Sequence, residues 1–236
     1  MFFHGGGWIL GNKNTHDRLV REIANGANCA VVFVNYAPSP EAQYPIAIEQ
    51  AYAATEYMAK NASQYNIDSR HLAIVGDSVG GNMAAVVALL AKERNGPKIS
   101  QQVLFYPVTD ANFNTESYLQ FADGPWLSKP AMEWFWNAYC PDMSARKKHT
   151  VCPLQASLDQ LRNLPATLLI TDENDVLRDE GEAYAHKLMQ AGVEVVSVRF
   201  IGTCHDFVML NPLAKTPACR QAVNLACETL KKAFSH

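Results

Sequence analysis

The sequence predicts an α/β fold: a mainly parallel sheet with helices on both faces. Three observations predict it. Short apolar, β-branched runs alternate with helical stretches, which is the rhythm of βαβ units. Those runs are apolar almost throughout, as strands covered on both sides are. The chain has 236 residues, 48% of them hydrophobic and 18% charged, which suits one undivided domain of this class, 1–236.

Strands are expected at Met1–Phe3, Cys29–Tyr36, His71–Gly76, Gln102–Val108, Ala166–Thr171 and Val195–Phe200. Helices fill the gaps. Pro45 can occupy a first helical turn, so a helix is expected over Pro45–Tyr65. Gly80–Glu93 is rich in Ala and Val and should be buried. Asp179–Ala191 opens on acidic residues and stops before Gly192, matching the start and stop signals of a helix. A last helix is expected over Ala218–Phe234.

Between the Gln102 and Ala166 strands no single crossover helix is legible. Phe113, Tyr118, Phe121, Trp126, Trp134, Phe135, Trp136 and Tyr139 crowd into the first half of that segment. Aromatics on a helix often do no more than pack on the core. Their density here predicts an inserted cap at about 110–150 whose aromatic face lines a pocket for an apolar group.

Composition excludes several classes of partner. The formal net charge is -3 and the basic residues form no stripe, so no nucleic acid is expected. There is no run of about 18 apolar residues, so no membrane span is expected. The start, Met1-Phe2-Phe3-His4, has neither the basic region nor the cleavage site of a signal peptide. The six cysteines form no CxxC pair and are read as thiols in a reducing cytoplasm. Cys204 beside His205 lacks a second ligand cluster, so no metal is expected.

Gly76-Asp77-Ser78-Val79-Gly80 matches G-x-S-x-G, a modest signal alone. Its context strengthens it, because a strand runs in and an Ala-rich helix runs out, as a nucleophile elbow requires. Glycines flank the Ser because strand and helix pass too close for side chains. After the first strand comes His4-Gly5-Gly6-Gly7-Trp8. Consecutive glycines let backbone N–H groups point into a cavity, which is how an oxyanion hole is built. A phosphate loop would place Lys with Ser or Thr next, and Trp8-Ile9-Leu10 offers neither. Trp8, Asp77 and Phe207, beside these residues and His205, are expected at the substrate pocket.

A Ser hydroxyl needs a base, and the base needs an orienting acid. Behind an elbow of this type the chain order is Ser, acid, His. Of the later histidines, His186 sits inside a helix, His236 ends the chain and His149 lies in the expected cap. His205 follows a strand, in Gly202-Thr203-Cys204-His205, where a loop can carry it over the sheet. For the acid, Thr171-Asp172-Glu173-Asn174-Asp175 offers three carboxylates. Asp172 and Glu173 lie close to the strand, which favours Asp175, but spacing leaves the choice open.

Together these residues resemble the hormone-sensitive-lipase family of esterases, within the α/β-hydrolase fold. The resemblance covers nearly the whole chain. It takes in His4-Gly5-Gly6-Gly7-Trp8, Tyr36…Pro40-Glu41…Tyr44-Pro45, Gly76-Asp77-Ser78-Val79-Gly80-Gly81-Asn82, Asp175-Val176-Leu177-Arg178-Asp179-Glu180-Gly181 and Gly202…His205. It implies Asp175 as the triad acid with Ser78 and His205. It places the oxyanion donors at Gly6 with Gly5 or Gly7, and at Val79. It also implies short- to medium-chain ester substrates and no cofactor.

Three departures stand out. Asp206 replaces the family's Gly after the His, so a carboxylate beside the base is expected to raise its pKa or crowd the pocket. Val79 replaces an Ala. The chain starts three residues before H-G-G-G, so the family's earlier strands are expected to be missing. The Cys29–Tyr36 strand would then be an open edge prone to pairing with a second copy. The expected function is a serine carboxylesterase. The same triad would serve an amidase or peptidase, and an impaired fragment or ligand-binding protein on this scaffold is the third reading.

Overall fold

The computed structural model of the chain describes residues 1–235. Six strands form one sheet in the order β2-β1-β3-β4-β5-β6, every neighbouring pair parallel. They are β1 (Phe2–Phe3), β2 (Phe33–Val34), β3 (Ala73–Asp77), β4 (Gln101–Phe105), β5 (Ala166–Asn174) and β6 (Val195–Cys204). Eight α-helices accompany them: α1 (Asp17–Ala27), α2 (Ile46–Asn61), α3 (Val79–Glu93), α4 (Glu116–Gln120), α5 (Lys129–Tyr139), α6 (Leu158–Leu161), α7 (Arg178–Gln190) and α8 (Pro217–Phe234).

The period-two alternation of each strand divides the core into two layers. Phe3, Ile74, Leu104 and Leu169 point toward α2, α3 and α7. Phe2, Val75, Val103, Phe105, Leu168 and Ile170 point toward α1 and α8. A sheet covered on both faces has no polar side to show, which is why the strands read as apolar runs. α3 has thirteen buried residues, from Val79 to Ala91, and forms the centre of the first layer.

Several strand boundaries shift from expectation, β4 among them, which ends at Phe105 and not Val108. The strand expected over Cys29–Tyr36 pairs only at Phe33–Val34, because as the edge strand it has β1 alone as a neighbour. β5 and β6 run on to Asn174 and Cys204, with a register irregularity between Asp172 and Asn174. Such irregularities re-aim the chain beside sites, and here both strands end just before Asp175 and His205.

Helix α1 was not anticipated. Leu19, Ile23 and Ala27 recur every fourth residue and are its buried stripe, and the helix ends at Asn28 in the left-handed region, φ 52°. The segment from 109 to 165 holds the short helices α4, α5 and α6. Its aromatics divide in use. Tyr118, Trp136 and Tyr139 are fully buried on the first core layer, whereas Trp126 and Trp134 are exposed. Among the described residues no helix is long and apolar enough to cross a membrane.

Candidate active site

The C-terminal ends of β1, β3, β5 and β6 deliver four loops to one place, the side of a parallel sheet where ligands bind. β3 breaks at Ser78, whose backbone (φ 54°, ψ -122°) is strained for a residue with a Cβ. The turn is possible only because its neighbours are glycines. A Cβ on Gly76 would strike the carbonyl of Gly80, and one on Gly80 would strike the carbonyl of Phe3. The strain lifts Ser78 Oγ toward His205.

His205 Nε2 lies 2.9 Å from Ser78 Oγ, and His205 Nδ1 lies 2.7 Å from Asp175 Oδ2. The other oxygen of Asp175 accepts the Leu177 N–H at 3.0 Å, which fixes the carboxylate plane. All three residues are buried, at 4%, 1% and 3% exposure for Ser78, Asp175 and His205. Burial of His205 works to lower its pKa, but the carboxylates of Asp175 and Asp206 outweigh it and push the imidazole up to about 9. Sequence separations of 30 and 127 residues close over these two contacts.

A cavity of about 320 Å³ opens above Ser78 and His205, lined also by Gly6, Gly7, Leu10, His16, Trp126, Phe135 and Asp206. A similar hollow of about 300 Å³ lies beside Met1, Cys29 and Leu72, at the opposite ends of the strands. Cys29 there is an unactivated thiol, held protonated by burial. The chemistry therefore sits with the first cavity.

Gly6 and Gly7 line the same cavity as Ser78, and Val79 follows Ser78 in the chain. Gly6 and Gly7 are in positive-φ conformations, 106° and 65°. Their N–H groups and that of Val79, the first residue of α3, have no acceptor among the described residues. Gly5 is different, because its N–H donates to Asp77 Oδ1 at 3.1 Å. The free donors are thus those of Gly6, Gly7 and Val79.

The three expected pocket residues sit elsewhere. Asp77 is fully buried under the glycine loop, where its second oxygen meets His16 Nε2 at 3.1 Å. Burial works to raise the Asp77 pKa, but His16 outweighs it and the carboxyl is lowered. The Asp77–His16 pair thus ties the loop after β1 to the elbow after β3. Trp8 is fully buried and stacks on Tyr139, ring centroids 4.1 Å apart. Phe207 packs between Tyr106 and Phe200 in the second core layer. All three support the site from beneath, since residues next to a motif alternate between facing the cavity and facing the core. His16 was missed; its signal was a polar residue just ahead of the α1 stripe.

Asp206 has φ 68°, a conformation that explains why a glycine suits this position. Its Oδ2 accepts from Trp126 Nε1 at 3.0 Å, and its Oδ1 is 3.7 Å from His205 Nε2. It does both things expected of it, adding negative charge beside the base and occupying the cavity rim. With Asp206→Gly, the imidazole loses one source of its elevation. The acid limb of kcat/KM should move down by roughly one pH unit, the lower end of what a charge at 4–6 Å does. A pH profile identical to that of the parent chain would show that Asp206 does not act on His205.

Of the other carboxylates that close β5, Glu173 turns away to accept the Gly202 N–H at 2.7 Å. Asp172 does not stay out of reach, as its strand position implied. One of its oxygens lies within 4.8 Å of both an Asp175 oxygen and a His205 ring nitrogen. Among the described residues, no other group of three acidic, His or Cys side chains gathers this closely.

Comparison with known proteins agrees with this architecture. The family described as the α/β hydrolase fold matches residues 1–209. Carboxylesterase NlhH of Mycobacterium tuberculosis is 37% identical over 236 residues, covering 99% of this chain and 73% of its own. Ethyl acetate hydrolase of Pseudomonas putida is 36% identical over 214 residues, 90% of this chain and 67% of its own. The crystal structure of a thermostable esterase from Pseudomonas putida superposes with a TM-score of 0.98 at 53% identity, covering 99% of this chain and 73% of that one.

Proposed function

Because this chain belongs to the hormone-sensitive-lipase-like family of α/β hydrolases, we propose that it hydrolyses carboxylic esters through an acyl-enzyme on Ser78. The single observation that carries the reading is the unbroken line Ser78 Oγ, His205, Asp175, at 2.9 and 2.7 Å, opening into a cavity with unpaired N–H groups. The chain is a carboxylic ester hydrolase, like its relatives. The residue roles that follow are our assignment.

Ser78 Oγ attacks the ester carbonyl as its proton passes to His205 Nε2. Asp175 holds the imidazole with its proton on Nδ1 and stabilises the imidazolium. The carbonyl oxygen gains the negative charge and meets the N–H groups of Gly6, Gly7 and Val79, each donor worth about 3–4 kcal/mol in the transition state. The imidazolium then protonates the leaving alkoxide, the alcohol departs, and Ser78 carries the acyl group. Water, deprotonated by the same Nε2, reverses the sequence and frees the acid.

A cavity of about 320 Å³ is at the small end of ligand sites, which supports short to medium acyl chains. Trp126 and Phe135, from the segment at about 110–150, supply its apolar wall, and we read that segment as the cap. The test is a panel of p-nitrophenyl acetate, butyrate and octanoate, beside labelling with a serine-directed phosphonate and mass mapping of the adduct. Turnover should be highest with the two shorter esters and the label should map to Ser78. A label elsewhere, or none, would reject the assignment.

A further inference from the structure

We propose that Asp172 and Asp175 form an acid dyad behind His205 that holds a single negative charge, with Asp172 keeping the dyad's proton in the resting site and able to serve His205 in Asp175's place. This rests on the reading of Asp175 as the triad acid.

Three observations carry it. First, Asp172 is 0% exposed, on the β5 face it shares with Leu168 and Ile170. Second, neither of its oxygens has a hydrogen-bond partner among the described residues. Isolating an ionised carboxylate from water and from every donor costs several kcal/mol even after relaxation, so the group is a neutral acid there. Third, it is not a stray core residue, because an oxygen lies within 4.8 Å of both the Asp175 carboxylate and the His205 ring.

Two carboxyl groups this close share one proton, since like charges in a dry site cannot both ionise. The surroundings decide which one keeps it. Asp175 accepts the Leu177 N–H and touches His205 Nδ1, whereas Asp172 has no donor among the described residues. The titratable groups facing Asp172 are Asp175, His205, Asp206, Cys204 at the end of β6 and the Tyr106 hydroxyl after β4. Burial, then the charges of Asp175 and Asp206, hold its carboxyl well above the ordinary range. His205 is the one group of this set that can turn positive. Without the Asp175 charge, the opposing force on Asp172 falls; it releases its proton to solvent, and the anion pairs with the imidazolium.

The test compares Asp172→Asn, Asp175→Asn and the double variant of the full chain, as kcat/KM on p-nitrophenyl butyrate from pH 5 to 9. Asp172→Asn is measured alone so that any loss it causes by itself is separated from its loss beside Asp175→Asn. Asp175→Asn should fall by less than the roughly 10⁴-fold that a lone acid's amide causes, and should regain activity as pH rises and Asp172 ionises. The double variant should fall at least about tenfold further and keep only the pH dependence that His205 itself gives. Equal activity of Asp175→Asn and the double variant at every pH would overturn the dyad. Parent-like activity of Asp175→Asn with no further loss in the double variant would instead overturn Asp175 as the acid. A readout needing no change at Asp172 guards against misfolding. Infrared spectra of the chain with isotope-labelled aspartate, carrying Asp206→Asn, should show a protonated carboxyl at pH 7; its absence would reject the proposal.

Discussion

Ser78→Ala and His205→Ala should each lower kcat by about a millionfold, and the double variant should be no worse than either alone, as in triads that work as one unit. The reasoning is chemical. Without Oγ there is no atom to carry the acyl group, and without Nε2 the hydroxyl keeps its proton at neutral pH. In the proposed mechanism each partner is useless alone, because the proton passes along the 2.9 Å contact between them. A residual rate above the uncatalysed one should survive in both, because in the proposed mechanism the N–H groups of Gly6, Gly7 and Val79 still stabilise the carbonyl oxygen. The melting temperature of Ser78→Ala should change little, because among the described residues Ser78 Oγ hydrogen-bonds only to His205. Steady-state rates with active-site titration make the measurement. Additive losses in the double variant would mean that the two residues act in separate steps.

Gly80→Ala should unfold the protein at markedly lower temperature, the reverse of what helix propensity gives. Position 80 lies in the first turn of α3, and in an exposed helix Ala is favoured over Gly by about 1 kcal/mol. Here an added Cβ would strike the backbone carbonyl of Phe3, with His4 next to it. The obstacle is main chain in a central strand, so no side chain can rotate away. Forcing β1 and α3 apart should cost about 3 kcal/mol, the upper part of the range for overpacked cores. For a chain of this size that is a drop of roughly 6–12 °C in Tm. Activity should fall as well, because β1 leads straight into His4–Gly7 and a shift of about 1 Å in catalytic geometry can cost a hundredfold. A thermal melt checks it. An unchanged Tm would mean that α3 does not press on β1 as described.

Much of this fold was legible because its signals are local. An apolar β-branched run followed by a helical pattern needs no distant partner to be recognised, and β3, α3, α7 and α8 were expected within a few residues of their observed ends. The G-x-S-x-G turn and the H-G-G-G loop were legible for the same reason, since each is a constraint on consecutive backbone angles. α1 escaped notice because a polar stretch leads into it and only Leu19, Ile23 and Ala27 mark its buried stripe. The edge strand is shorter than its apolar run predicts because Val31, Val32 and Tyr36 pack on the core while the ladder is confined to Phe33–Val34.

The sequence by itself determined the α/β class, the strand–turn–helix at Ser78 and the glycine loop after the first strand, because those are properties of neighbouring residues. Tertiary structure alone decided which atoms meet. It took Asp77, Trp8 and Phe207 out of the cavity and set them beneath it, and it brought His16 to Asp77 across 61 residues. It spent the Gly5 N–H on Asp77, leaving the N–H groups of Gly6, Gly7 and Val79 without an acceptor among the described residues. It also buried Asp172 without a donor beside Asp175 and His205. The physical reason is the same in each case. Whether a polar side chain faces solvent, a partner or the core depends on how strands stack and where loops cross, and that is written in contacts between distant segments.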